Sequence, residues 1–259
     1  SYAEGLFSGL ENFFEDIFFS SKPVSSDLLI VSIDNESIAR LGQWPWPREY
    51  FSRALVHLNE NPPKSVGFDV LLSEPSRLGA GDDAVLRSAL AQVSYPIVFP
   101  AEGESFSPGG EALRAANVIK PLAVFTDNKN VSLGHINLIL DSDNIVRKFP
   151  FEIEDRGAGR EIYQSFSYEV FKAAGGDISK KSSQETIPRI AFSFPAGSIR
   201  RIPFWRLLEK GFGPELKNKI VLIGSTSPDL HDENLTPMGK GKAMPGVEIQ
   251  ANIVNMFLS

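Results

Sequence analysis

The spacing of apolar and polar positions changes along the chain, and each change predicts an element. Residues 28–33 (LLIVSI) are almost continuously apolar and β-branched up to Asp34, the pattern of a strand buried on both faces. After a loop, residues 48–60 place Phe51, Leu55 and Leu58 on one helical face, and 65–71 (SVGFDVL) form a second strand carrying Asp69. Strand, crossover helix and strand make a right-handed βαβ unit, so the sheet is at least partly parallel. Asp82-Asp83 opens a helix continued by Val85, Leu86, Ala89 and Leu90, which leads to a third strand at 96–99.

Beyond residue 100 the rhythm becomes less regular. The Gly, Pro and Ser content of 101–116 predicts a loop running into a short helix at 111–116. Residues 131–139 and 145–153 flank Asp141-Ser142-Asp143-Asn144, which reads as a β-hairpin whose Asn144 takes a positive φ. A helix from Tyr163 to Ala174 stops at Gly175-Gly176. A strand at 189–194, a short helix at 203–210, a strand at 219–224 and a closing helix at 246–258 complete the series. At the start, Leu10, Phe13, Phe14, Ile17 and Phe18 form an amphipathic stripe, so residues 1–20 are expected to be a stalk helix and 21–259 a single domain. The predicted fold is α/β: a central mixed β-sheet of parallel βαβ units plus an antiparallel hairpin, flanked by helices, with amphipathic helices at both termini.

Composition removes several chemistries. With no cysteine, the chain can build no disulfide, thiolate nucleophile, thiolate zinc site or iron–sulfur cluster. A hydrophobic share of 42% against 22% charged marks a folded globular chain. The formal charge of -6, from 26 basic and 32 acidic residues, argues against nucleic acid as a partner. No stretch approaches the ~20 apolar residues of a membrane span. The first residue is Ser1 and the last helix has no stop signal, which reads as a piece of a longer chain.

Ligands of parallel α/β sheets collect beyond the carboxyl ends of the strands. Here that rule selects Asp34, Asp69 and Ser225-Thr226, with Asp229, His231, Asp232 and Thr236 behind the last strand. Converging carboxylates can hold a divalent ion or hydrogen-bond a polar ligand, and they can equally cap turns and helices. His57 and His135 read as packed or surface residues, whereas Asp229 and Asp232 flank His231. The string Trp44-Pro45-Trp46-Pro47-Arg48 holds two indoles on a loop stiffened by prolines, either to stack on a ligand with Arg48 supplying charge or to plug the sheet end. No P-loop and no Gly-x-Ser-x-Gly elbow is present.

The strings Ile33-Asp34-Asn35-Glu36-Ser37, Leu41-Gly42-Gln43-Trp44-Pro45-Trp46-Pro47-Arg48 and Gly67-Phe68-Asp69-Val70-Leu71 resemble the CHASE sensor domain of the second type, the cyclase and histidine-kinase associated sensory extracellular domain. Asp141 through Arg147, Lys219 through Thr226, Asp232 through Pro237 and Pro245 through Asn252 continue the resemblance in order over nearly the whole chain. Asn144 stands where the family commonly has Gly, and Gln250 where it frequently has His. The resemblance implies a sensor on the extracytoplasmic face of the bacterial membrane, flanked by membrane helices outside this chain. Its output would be a cytoplasmic cyclase, diguanylate cyclase or kinase, and the domain itself would catalyse nothing.

On that reading Asp34, Trp46, Arg48, Asp69, Ser225, Asp232 and Thr236 form the ligand rim. Trp44, Gly224, Pro245 and Gly246 hold the frame, and Asp143 pairs with Arg147. The expected partners are an unidentified small-molecule or envelope ligand and a second copy in a homodimer; no cofactor and no metal is implied. Two other readings stand beside it: a divalent-metal-dependent hydrolase using Asp34, Asp69 and Asp232, and a dimerisation or scaffold module of the cell envelope.

Overall fold

The computed structural model describes residues 23–107, 112–157, 159–177, 185–209, 211–239 and 241–259. The stripe expected as a stalk at 1–20 lies outside these. In chain order the first elements are β1 (Leu28–Ile33), α1 (Asn35–Leu41), α2 (Arg48–Leu58), β2 (Ser65–Asp69), α3 (Ala80–Gln92), β3 (Ile97–Ser107), β4 (Leu113–Ile119), α4 (Ala123–Thr126) and β5 (Val131–His135). There follow β6 (Ile139–Leu140), β7 (Val146–Lys148), β8 (Glu152–Asp155), β9 (Ile162–Gln164), α5 (Phe166–Ala173), β10 (Arg201–Pro203), β11 (Ile220–Ser225), β12 (Glu233–Leu235), β13 (Ala243–Pro245) and α6 (Gly246–Leu258).

Strands β10, β1, β11, β2, β3 and β5 pair in parallel, in that spatial order. The second half of β3 leaves this sheet and pairs antiparallel with β4, which carries β8 and β9 beyond it. The fold is thus mixed α/β, with one nine-stranded sheet holding both kinds of pair. All six residues of β1 are buried, as its uninterrupted apolar run requires for a strand covered on both faces.

Alternation along the strands sorts the core into two layers. Leu29, Val31, Ile33, Val66, Phe68, Val221 and Ile223 face one side, where they pack with Phe51, Leu55, Leu86 and Leu90 of α2 and α3. Leu28, Ile30, Ile220 and Leu222 face the other side and meet Phe166 and Val170 of α5 and Val247, Ala251 and Val254 of α6. Two glycines let α5 lie directly on the sheet. A Cβ at Gly67 would sit 2.5 Å from the Leu222 side chain, and one at Gly134 would sit 2.5 Å from Cα of Phe166.

Several expected elements take other forms. Residues 113–116, expected in a helix, belong to β4, because pairing with β3 on one side and β8 on the other overrides local helix preference. The expected long hairpin reduces to β6 and β7 around 141–144, because β5 joins β3 in parallel and Pro150 interrupts the second run. Asn144 does take a positive φ of 61°. Tyr163 and Gln164 lie in β9, and α5 starts only after Ser165, whose Oγ accepts the Tyr168 N–H. The stretch 189–194 forms no strand beyond one bridge from Arg189 to Lys148. Its Ile190, Phe192 and Phe194 are buried, yet the N–H groups of Ser193 and Phe194 donate to the Asn252 side chain instead of a neighbouring strand. The short helix at 203–210 is a 3-10 turn over Phe204–Leu208.

His135, at the end of β5, is 1% exposed, and neither ring nitrogen has a hydrogen-bond partner among the described residues. Burial pulls its pKa down to about 4, opposed by the carbonyls of Phe151 and Pro150 and the charge of Glu152. Between pH 6.5 and 4 the unfolded chain therefore binds a proton that the folded chain refuses, and stability falls as the pH falls through this window. Denaturant titrations of the native chain and of His135→Gln at pH 7 and pH 4.5 should differ in their pH dependence by about 2–3 kcal/mol, with the variant the less weakened by acid. An unchanged pH slope in that variant would overturn the assignment.

Candidate functional site

The carboxyl ends of β1, β11 and β2 lie side by side, with Ile33 opposite Ser225 and Gly224 opposite Asp69. What each polar residue does at this edge follows from its place in the pleat. Asp34, which follows β1, is the N-cap of α1: one carboxylate oxygen accepts the Ser37 N–H at 2.8 Å and the other the Ser32 hydroxyl at 3.2 Å. Capping satisfies a backbone donor that the first turn leaves open, so this carboxylate is committed to the fold. The Ser225 hydroxyl points back to the Ser227 carbonyl at 3.5 Å, and Ser227 in turn bonds Asn35.

Asp69 and Asp232 come together at the first turn of α6. A Cβ at Gly224 would meet Val247 at 2.8 Å and the Asp69 Cβ at 3.2 Å, and one at Gly246 would lie 2.5 Å from the Asp232 carboxylate. Gly224 and Gly246 therefore hold open the space that the two acids occupy. Pro245 is the N-cap of α6 and brings no side-chain bond, while the Gly246 N–H donates to the Asp232 carbonyl at 2.9 Å. Burial, then the charge of Asp232, pushes the Asp69 carboxyl up to about 8. The Asp232 carboxyl is raised as well, by burial and then by Glu102 and Glu233, although the residue as a whole keeps an exposed side. Thr236 is 5% exposed, and its hydroxyl has no hydrogen-bond partner among the described residues. His231, flanked by Asp229 and Asp232 in sequence, ends a 3-10 turn with a φ of 54°.

Asp34, Asp69 and Asp232 do not form the trio that a metal hydrolase would use, since Asp34 is spent on its cap. Among the described residues, no group of three or more His, Asp or Glu side chains is placed to hold a metal ion.

On the opposite face of the sheet lies a pocket of about 600 Å³, between the Trp44–Arg48 loop and residues 70–78. The roles of its residues differ from the sequence expectation. Trp46 is 2% exposed, its indole N–H donates to the Gly42 carbonyl at 2.8 Å, and its ring packs on Phe51 and Phe204. Arg48 is equally committed: Nε meets the Asp83 carboxylate at 3.1 Å, Nη2 the Glu74 carbonyl at 2.8 Å, and its backbone N–H the Asp82 carboxylate at 2.9 Å. These two residues, expected at the ligand rim, do line the pocket, but their indole N–H and guanidinium are already engaged within the protein. Trp44, expected in the frame, is the half-exposed indole of the pocket wall, set edge-on to Trp46. Arg77, Glu74 and Leu78 also line the pocket and were not singled out from the sequence, which shows them only as ordinary loop residues.

Further residues fix the surroundings. Arg147 is 3% exposed and reaches Asp143 at 2.9 Å and Asp141 at 3.2 Å; the Arg147 hydrogen bond, foremost, holds the Asp143 carboxyl below its usual range. Glu248 is fully buried, accepts from Arg201 Nε at 2.8 Å and from the Gly197 N–H at 3.0 Å, and its burial was not legible in the sequence. Gln250 accepts from the Ser167 hydroxyl at 2.6 Å and donates to the Ile136 carbonyl at 3.2 Å.

Arg48→Met leaves the Asp83 carboxylate buried beside an apolar chain and should lower stability by about 3–5 kcal/mol in urea unfolding, whereas a loss below about 1 kcal/mol would show the pair to be idle. Asp69 binds a proton in the folded state up to about pH 8, where the unfolded chain has already released it near 4, so the stability it provides is lost as pH rises through 8. Asp69→Asn should therefore melt higher than the native chain at pH 8, by on the order of 2–5 °C, with a gap that closes towards pH 4; a gap independent of pH would contradict it.

No helix among the described residues is long and apolar enough to cross a membrane. No match was found among curated proteins or among solved structures. The CHASE2 domain family matches residues 1–259, the whole length of the sequence. The chain therefore belongs to the CHASE2 family, the sensory extracellular domains of signalling proteins.

Proposed function

We propose that the chain is the extracytoplasmic ligand-sensing domain of a bacterial membrane-bound signalling protein whose cytoplasmic part is a cyclase or a kinase, and that the domain itself catalyses nothing. The observation that carries this reading is the 600 Å³ pocket at the carboxyl end of the parallel sheet. Its volume falls in the range of small-molecule sites, and its place is the one where α/β sheets collect ligands. The acids facing α6 supply no reacting constellation of nucleophile, base and oxyanion donors, which favours binding over turnover.

An exit for the signal is available in α6. Its first turn meets Asp69 and Asp232, and near its other end the Asn255 side chain accepts the Ser25 N–H at 2.8 Å and donates to the Pro23 carbonyl at 3.3 Å. Through this amide, and through the packing of Val247, Ala251 and Val254 on Leu28 and Ile30, a displacement of the helix would reach the N-terminal segment. A ligand drives it only by binding one arrangement more tightly than the other.

The test uses the full-length protein in membranes. Leu78 is 67% exposed, so Leu78→Trp fills the pocket mouth without disturbing the core. The output activity should change at least about threefold while the melting temperature stays within about 2 °C of the native value. Equal output from both proteins, with and without cell-envelope extract, would remove the pocket from the signalling role.

A further inference from the structure

We propose that the pocket takes a small zwitterion, a molecule with a free α-ammonium and a free α-carboxylate on an apolar body: an apolar amino acid or a peptide of two or three residues. The proposal rests on the sensing reading of the same pocket and names its ligand class.

The charges around the pocket carry the argument. Arg48 and Asp83 neutralise each other at 3.1 Å, and Asp82 is engaged by the Arg48 N–H at 2.9 Å and the Ser76 hydroxyl at 2.6 Å. Two lining charges remain. Arg77 is exposed and makes no ion pair among the described residues; its guanidinium reaches across to the Pro45 carbonyl at 3.3 Å. Glu74 is exposed, and no hydrogen bond or ion pair engages its carboxylate among the described residues. The two stand three positions apart in one loop and do not pair with each other. A purely anionic ligand would meet Arg77 but be opposed by Glu74, and a cation would meet the reverse. A ligand carrying both signs satisfies both groups, which is the sense in which electrostatic complementarity selects a partner.

The rest of the wall is apolar. Trp44 is half-exposed, Leu71 is partly buried, and Leu78 turns 67% of its surface outward, so an aliphatic or aromatic side chain finds area to cover. The walls are also set in advance. Ser76 is tied to Asp83 through its N–H at 3.0 Å, and Arg48 holds the Glu74 carbonyl at 2.8 Å, so the segment bearing Glu74 and Arg77 need not be ordered by the ligand.

The experiment compares blocked and unblocked probes on the native chain: L-leucine, L-phenylalanine, Leu-Leu and Leu-Leu-Leu against N-acetyl-L-leucine and L-leucine methyl ester, read by calorimetry and thermal shift. The zwitterions should bind saturably, and each blocked form should bind about tenfold more weakly or worse, as expected for losing a hydrogen bond to a charged group. Tighter binding of the free amino acids or of the peptides then identifies the source. Arg77→Gln should erase only the discrimination against the ester, and Glu74→Gln only that against the acetyl derivative; a loss of folding would weaken all probes alike and cannot produce this crossed pattern. The proposal falls if no zwitterion binds up to millimolar concentration, or if blocked and unblocked probes bind equally. Should the zwitterions fail while Leu78→Trp still alters output, the pocket remains the sensing site and only its ligand class is overturned; should they bind while Leu78→Trp is silent, the site stands and the sensing role falls.

Discussion

A carboxylate with no contact with water has to be neutralised where it stands, and Glu248 in α6 is such a group. Its partners, Arg201 and the Gly197 N–H, fix the first turn of α6 against the edge strand β10. Farther along, Gln250 bonds Ser167, Asn252 accepts the Ser193 N–H, and Asn255 bonds Ser25 and Ser193. Every residue from Gly246 to Asn255 is buried, so an apolar helix in this place could slide or rotate with little penalty. Polar partners on successive turns allow one rotation and one depth, because any other leaves an unpaired group inside. The register of α6 in turn decides where Val247 stands beside Gly224 and Asp69, and where Gly246 leaves room for Asp232.

The strand end of β2 links the two halves of the carboxyl edge. Its pleat sends Phe68 and Val70 towards α2 and α3, and Gly67 and Asp69 towards α5 and α6. Consecutive residues therefore serve opposite faces: Val70 lines the aromatic pocket, and Asp69 stands against the first turn of α6. A displacement of 70–72 reaches Asp69 through a single peptide linkage, with no chain of side-chain contacts required. The raised pKa of Asp69 makes that position responsive, since its protonation depends first on how completely the side chain is buried and then on how closely Asp232 approaches.

Much of this was legible in the sequence because long apolar runs leave few alternatives. The strands at 28–33 and 219–224, the helix after Trp44-Pro45-Trp46-Pro47-Arg48 and the turn at Asn144 each follow from local pattern. Where the pattern misled, a distant partner decided the outcome. Residues 113–116 become a strand because β3 and β8 offer backbone partners on both sides, and 189–194 do not because Asn252 takes their N–H groups. The aromatic loop was visible as a loop, but not which indole would face outward; the Gly42 carbonyl, Phe51 and Phe204 settle that by drawing Trp46 inside. Likewise Arg48 reads as a free charge until Asp83, thirty-five positions away, is folded against it.

That ion pair also explains how a segment without regular structure can form a rigid wall. Residues 70–79 belong to no helix or strand, so no ladder of backbone bonds holds them. A buried ion pair is a poor source of net stability, because the desolvation it requires consumes most of the attraction it gains, and apolar residues of similar volume usually do as well. What apolar residues cannot supply is direction. Arg48 aims one nitrogen at Asp83 and another at the Glu74 carbonyl, Asp83 turns its second oxygen to the Ser76 N–H, and the Ser76 hydroxyl receives the Leu78 N–H at 3.1 Å while donating to Asp82. The loop is thereby pinned at Glu74, Ser76 and Leu78, alternate positions whose intervening residues, Pro75 and Arg77, have little freedom left. On the proposed sensing reading, a ligand entering between this wall and Trp44 would spend little of its binding energy on ordering the protein, which would leave that energy available for favouring one arrangement of the strand end over another.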